Sequence, residues 1–218
     1  MSAKPSIAIL GGTGDLGSGL AKRWLAAGNA VVIGSRSAEK ARAFAQELGG
    51  AARGDDNVGA AKAADVVVVA VPFANHESTL REVKDVVQGK IVVDAVVPLV
   101  PPKVSVVQLP KEGSAAQMAQ SLLGDGVRVV SAFHNVGAAK LHAGGKAECD
   151  VLVFGNDKEA RELVIGLANE VASAGIDGGV LANSAAAEAL TSVLIGINRR
   201  YKVDGAGIRI TGLAKAAS

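Results

Sequence analysis

Residues 8–24 read AILGGTGDLGSGLAKRW: an apolar run, five glycines within nine positions, and then an amphipathic helical pattern. Gly12, Gly14 and Gly17 fit G-x-G-x-x-G, directly after one predicted strand and directly before a helix in which Leu16, Leu20 and Trp24 recur at four-residue spacing and Gly28 is the stop. In such a unit the first glycine permits a tight turn, the second lets a pyrophosphate lie against bare backbone, and the third lets helix and strand pack closely. The helix N–H groups then face the phosphate oxygens. A plain tight turn would not call for three glycines at these spacings. The stretch therefore predicts a dinucleotide site.

The rest of the chain repeats the same alternation. SIAILG, NAVVIGSR, ADVVVVAVP, KIVVDAVVP, VRVVSAFHNV and CDVLVFG are short apolar runs separated by helical patterns. Hydrophobicity that is continuous rather than alternating means strands covered on both faces, as in the parallel sheet of a doubly wound α/β (Rossmann) domain. With 218 residues, 49% of them apolar and only 3% aromatic, the core is built from Ala, Val, Ile and Leu. Ser114 with Gln117 predicts a capping box opening the helix AAQMAQSLL, and Asp157 predicts the cap of a helix reaching about Ala172. Residues 98–113 hold four of the six prolines and read as a long surface connection. SAAAEALTSVLIGINRRYK (184–202) is a helix with a broad apolar face, coming after the sheet is complete. We expect a Rossmann domain over 1–180 and a small helical C-terminal segment over 181–218. The apolar surplus of that segment serves either a dimer interface or packing within its own chain.

The nucleotide's identity is read at the end of the second strand, where an NAD site places an acidic residue on the ribose hydroxyls. Here Ser35 and Arg36 stand in that place, with Lys40 about one helical turn on. A carboxylate would repel a 2′-phosphate, whereas a guanidinium pairs with it through directed, charge-assisted bonds, so NADP(H) is the expected nucleotide.

Other partners are disfavoured. The net charge is +2 and no basic stripe interleaves with aromatics, which leaves nucleic acid without an electrostatic footprint. No run approaches membrane-spanning length without Gly or charge, so no membrane partner is expected and the expected compartment is the cytoplasm. Cys149 is the only cysteine and reads as a small residue near a strand start in a reducing compartment. A lone Cys and three scattered His lack zinc-ligand spacing, and no metal is expected.

Proton donors for carbonyl reduction are scarce. Tyr201 is the only tyrosine and Gly205 follows it by four, so a Tyr-x-x-x-Lys acid is missing. His134 falls at the C-terminal edge of the fifth predicted strand, where open α/β sheets bind ligands, and is either a pocket-lining or a structural histidine. His76 and His142 read as solvated, in a helix and a loop. A site without an evident acid suits hydride transfer between two organic coenzymes, because the protein then mainly aligns two rings.

The segments ILGGTGDLGSGLAKRW, VVIGSRSAEKA, VPF, VVSAFHNVGAAKL, GGVLANS and INRRYKVDGAGIRITGL together resemble the F420H2:NADP oxidoreductases, the NADPH-dependent reductases of the deazaflavin coenzyme F420. The resemblance runs over nearly the whole chain. It implies a Rossmann domain with a small C-terminal domain, a homodimer, and hydride exchange between NADP(H) and coenzyme F420 as small-molecule substrates. By position it implies that Gly12, Thr13, Gly14, Asp15, Leu16 and Gly17 hold the pyrophosphate, and that Ser35, Arg36 and Lys40 hold the 2′-phosphate. Val71, Pro72 and Phe73 would border the nicotinamide half, with His134 and Val136 flanking the cleft between the rings. Some of Arg199, Arg200, Lys202 and Arg209 would contact the anionic F420 tail, the other reading of the cluster being a solvated helix end favoured by the macrodipole. Asn135 and Gly137 replace the apolar or proline residues of archaeal members, and Phe73 replaces a larger aromatic, which touches the second substrate more than NADP. Two other enzyme readings stay open: reduction of a small imine or carbonyl with Ser184, Thr191 or Ser192 as donor, and reduction of a flavin or ferric acceptor. A third reading is a non-catalytic NADP(H)-binding module.

Overall fold

The computed structural model describes residues 4–213. Six parallel strands follow the doubly wound order 3-2-1-4-5-6 from one edge: β1 (Ile7–Leu10), β2 (Val31–Ser35), β3 (Ala52–Asp56), β4 (Val66–Val69), β5 (Ile91–Asp94) and β6 (Arg128–Ser131). Two more strands extend the sheet past β6. The first, β7 (Ala147–Gly155), runs antiparallel to β6, and β8 (Ala172–Gly179) runs parallel to β7. The sheet is thus the expected doubly wound parallel one, with the β6–β7 pair, where CDVLVFG lies, its one antiparallel pairing among the described residues.

Alternate residues of each central strand enter two separate cores. Ile7, Ile9, Val66 and Val68 pack on one face with Leu20 and Trp24 of helix α1 (Asp15–Ala26), and Ala8, Leu10, Val67 and Val69 pack on the other with Leu80 of α4 (Phe73–Val83). Burial on both faces is why these strands read as unbroken apolar runs. Trp24 also donates its indole N–H to the Leu167 carbonyl at 3.1 Å and meets Phe133 edge-on, with ring centroids 5.6 Å apart.

The remaining helices are α2 (Ala38–Leu48), α3 (Asn57–Ala63), α5 (Ala115–Leu123), α6 (Ala138–His142), α7 (Lys158–Val171) and α8 (Ser184–Tyr201). The Ser114 hydroxyl accepts from Gln117 N at 3.0 Å, but the Gln117 side chain turns away to the Glu112 carbonyl, so only half of the predicted capping box forms. Asp157 caps α7 as expected, accepting from Ala160 N at 2.7 Å. Residues 95–114 cross from β5 to α5 without helix or strand, and Val100, Val106, Val107 and Leu109 stand exposed along the way. After α8 the chain returns along β7, where Ile210 N donates to the Asp150 carboxylate at 2.7 Å. Among the described residues no helix is long and apolar enough to cross a membrane.

Candidate functional site

The turn between β1 and α1 is as close as the glycines implied. Gly11 adopts φ +79, and a Cβ there would stand 2.5 Å from the Ala70 carbonyl at the end of β4. A Cβ on Gly17 would stand 2.5 Å from the Gly11 carbonyl, so the start of α1 rests directly on the turn. Gly14 is the N-cap residue and supplies no side-chain acceptor to the helix. Its bare face meets only the Gly11 carbonyl, at 3.3 Å. Uncapped first-turn amides beside a vacant Cβ position fit a phosphate bridge.

Gly11, Thr13 and Gly14 share one cleft with Ser35 and Arg36 from the end of β2 and with Ala70, Val71 and Pro72 from the end of β4. Arg36 is exposed and points no ion pair elsewhere among the described residues, while Lys40 lies outside the cleft lining, exposed on the first turn of α2. Two carboxylates end β3 next to Ser35, and both are engaged. Asp55 pairs with Arg42 at 3.0 Å, and Asp56 caps α3 by accepting from Gly59 N at 2.7 Å. The residues present thus fit an anion at this rim.

Several expected residues stand elsewhere. Gly12 and Gly17 are buried beneath the turn, Leu16 packs into the core, and Asp15 is exposed, its carbonyl 3.0 Å from the His142 ring. Phe73 leaves Val71 and Pro72 to line a neighbouring groove with Arg81, Lys111 and Met118, its ring stacked at 6.1 Å on His76. Asn57, Asn75 and Thr79 also line the cleft beside the glycine turn, beyond the residues the motifs pointed to. Asn57 was hidden because β3 before it, ARGDD, is a polar edge strand that periodicity does not reveal. Asn75 and Thr79 lie one α-helical turn apart on α4, a spacing any surface helix shows.

His76 reverses its expectation. It is fully buried, with Nε2 2.6 Å from an oxygen of the equally buried Asp94, whose other oxygen accepts from Val96 N. Burial inside α4 won over the polar character of the sequence around it. His142 sits in the last turn of α6 rather than in a loop, and is exposed.

The chain after β6 bends sharply. Phe133, buried and not a glycine, adopts φ +70, a conformation that persists only where its surroundings over-determine it. His134 follows at 6% exposure, Nε2 lying 3.3 Å from the Ser131 hydroxyl. Burial lowers its pKa to about 4 although the nearby Asp94 carboxylate and backbone pull the other way, so the ring is neutral at physiological pH. Val136 is buried in the core at 8% exposure. Neither His134 nor Val136 lines the cleft beside the glycine turn. Among the described residues no group of three or more His, Cys, Asp or Glu is placed to hold a metal ion.

Residues 6–98, which contain the glycine turn, Arg36 and the end of β4, match the family model described as "NADP oxidoreductase coenzyme F420-dependent". The F420-dependent NADP reductase of Methanocaldococcus jannaschii is 44% identical, over 95% of this chain and 98% of its own length. The reductase of the same name from Methanothermobacter marburgensis is 41% identical over the same shares. A solved chain from Arthrobacter sp. FB24 superposes with a TM-score of 0.79 at 24% identity, over 95% of this chain and 99% of that one, which is a likeness of fold.

Proposed function

The chain belongs to the coenzyme F420-dependent NADP oxidoreductases, and from that membership we propose that it passes a hydride between NADP(H) and the deazaflavin F420. The observation that carries this reading is identity above 40% to two F420-dependent NADP reductases, across a chain whose glycine turn ends in an Arg36 rim rather than a carboxylate. Bound together, the two coenzymes supply the carbon that gives the hydride and the carbon that takes it.

In this reading the protein's part is alignment and exclusion of water. The first-turn amides of α1 and Thr13 hold the diphosphate, with Gly12, Asp15, Leu16 and Gly17 shaping the turn beneath it. Ser35, Arg36 and Lys40 hold the 2′-phosphate. Val71 and Pro72 form the apolar edge at the nicotinamide end, Phe73 closes the side toward the neighbouring groove, and His134 with Val136 backs the second ring. A neutral His134 places no charge against that ring. Arg199, Arg200, Lys202 and Arg209, all exposed, face the anionic tail of F420.

The hydroxyls that an imine or carbonyl reductase would use are turned inward. Ser184 donates to Ser114 at 2.8 Å, Thr191 donates to the His134 carbonyl at 2.9 Å, and Ser192 is buried. This favours a coenzyme acceptor over a small carbonyl. Residues 181–218 are read as the segment that completes the second cleft, of which 214–218 lie outside the described residues. Exposed Val193 on α8 and the valines of the 95–114 connection support a homodimer, and the lone cysteine supports a cytoplasmic setting.

The test is spectroscopic. Purified protein is mixed with NADPH and F420, and the visible absorbance of the oxidised deazaflavin is followed, with NADH and free flavins as controls. Bleaching that needs both NADPH and F420 is expected, and turnover of flavins alone would remove the reading.

A further inference from the structure

α8 carries a polar stripe where its neighbours are apolar. Ser184, Ala187, Glu188 and Thr191 follow at i, i+3, i+4 and i+7 and so share one helix face. Glu188 is 1% exposed, and its two oxygens accept from Ala115 N at 2.6 Å and Ala116 N at 3.1 Å, the first amides of α5. Ser114 takes the next open amide, that of Gln117, and is itself joined by Ser184. Carboxyl oxygens that meet two free amides at a helix start are well placed electrostatically. The same stripe then reaches the bend after β6: Asn135 Nδ2 donates to the Ala187 carbonyl at 2.9 Å and to Thr191 Oγ1 at 3.1 Å, while Thr191 donates to the His134 carbonyl. One helix face therefore ties the start of α5 to the strained backbone at Phe133–Asn135.

We propose that Glu188 is a positioning residue for the second substrate: by fixing α8 on the first turn of α5 it sets where Thr191 and Ala187 hold His134 and Asn135. The proposal rests on the hydride-transfer reading above for its kinetic consequence. Glu188 has no place at the nucleotide rim, so its effect falls on one substrate and not on both. Burial raises its pKa to about 8, the two amide bonds oppose this and Asp94 adds to it. Losing one of its acceptors disturbs a group with no water to replace the bond.

Glu188→Gln keeps the shape and one acceptor but turns an NH2 toward the other amide. The expected result is a rise of roughly tenfold in KM for F420, the size of one lost buried hydrogen bond, with KM for NADPH unchanged. A merely destabilised protein would lose active molecules, and thus apparent kcat, with both KM values intact. Thr191→Val should give the same selective rise and Thr191→Ser should restore it, which keeps the test open if Glu188→Gln fails to fold. Equal changes in both KM values, or none, overturn the proposal. Hydrogen exchange of residues 133–137 in the NADP-bound protein reads the tie without F420. Exchange in Glu188→Gln or Thr191→Val faster than in the parent is expected, and unchanged exchange refutes the tie whichever acceptor the enzyme uses.

Discussion

His76 and Asp94 meet at 2.6 Å in the interior, one from α4 and one from the end of β5, and neither side chain is exposed. The contact pins α4, which carries Asn75 and Thr79 of the cleft lining, to the end of β5.

Removing one partner of such a pair leaves the other buried without compensation. Asp94→Ala leaves the buried His76 ring and the Val96 amide without their acceptor and is expected to lower stability by about 1 to 3 kcal/mol, read as a lower urea midpoint at unchanged slope. A loss within a few tenths of a kcal/mol would mean that these bonds do not hold the helix to the sheet.

Arg36→Ala removes the guanidinium from the nucleotide rim. A charge-assisted bond contributes about 1.5 to 3 kcal/mol, so KM for NADPH should rise roughly ten- to a hundredfold while KM for NADH stays within about twofold. Equal losses for both nucleotides would place the 2′-phosphate elsewhere.

His134 makes stability depend on acid. Its folded pKa of about 4 lies below the ordinary imidazole value of 6.5 expected of the unfolded chain, so protons bind the unfolded state first as pH falls. The favourable contribution is complete above about pH 6.5 and is lost on going down toward pH 4, by up to about 3 kcal/mol. His134→Gln should show a shallower fall over that window in urea titrations at stepped pH. Parallel curves for parent and variant would contradict a buried neutral imidazole.

What the sequence revealed follows a physical division. Strands covered on both faces declare themselves by composition, which is why β1, β2, β4, β5 and β6 were readable and the edge strands ARGDD and ASAGIDGG were not. The glycine turn and Arg36 were readable because their chemistry is local: backbone clearance and a charge at a strand end. The burial of His76 and the engagement of Glu188 depend on partners 18 residues away for His76 and 72 or more for Glu188, and no window along the chain contains both ends. Leu16 combines both kinds of signal. It lies inside the motif, yet its side chain serves the core.

Gly137 and Gly205 come close enough that a Cβ on the first would stand 2.6 Å from the Cα of the second, bringing the start of α6 against the strand-like return after α8. Two main chains crossing without side chains between them leave no room for gradual adjustment. A methyl group at position 137 would have to lift the whole returning segment, including the anchor of Ile210 on Asp150, rather than nudge a rotamer. Widening this corner therefore means rerouting the main chain after α8 rather than exchanging side chains.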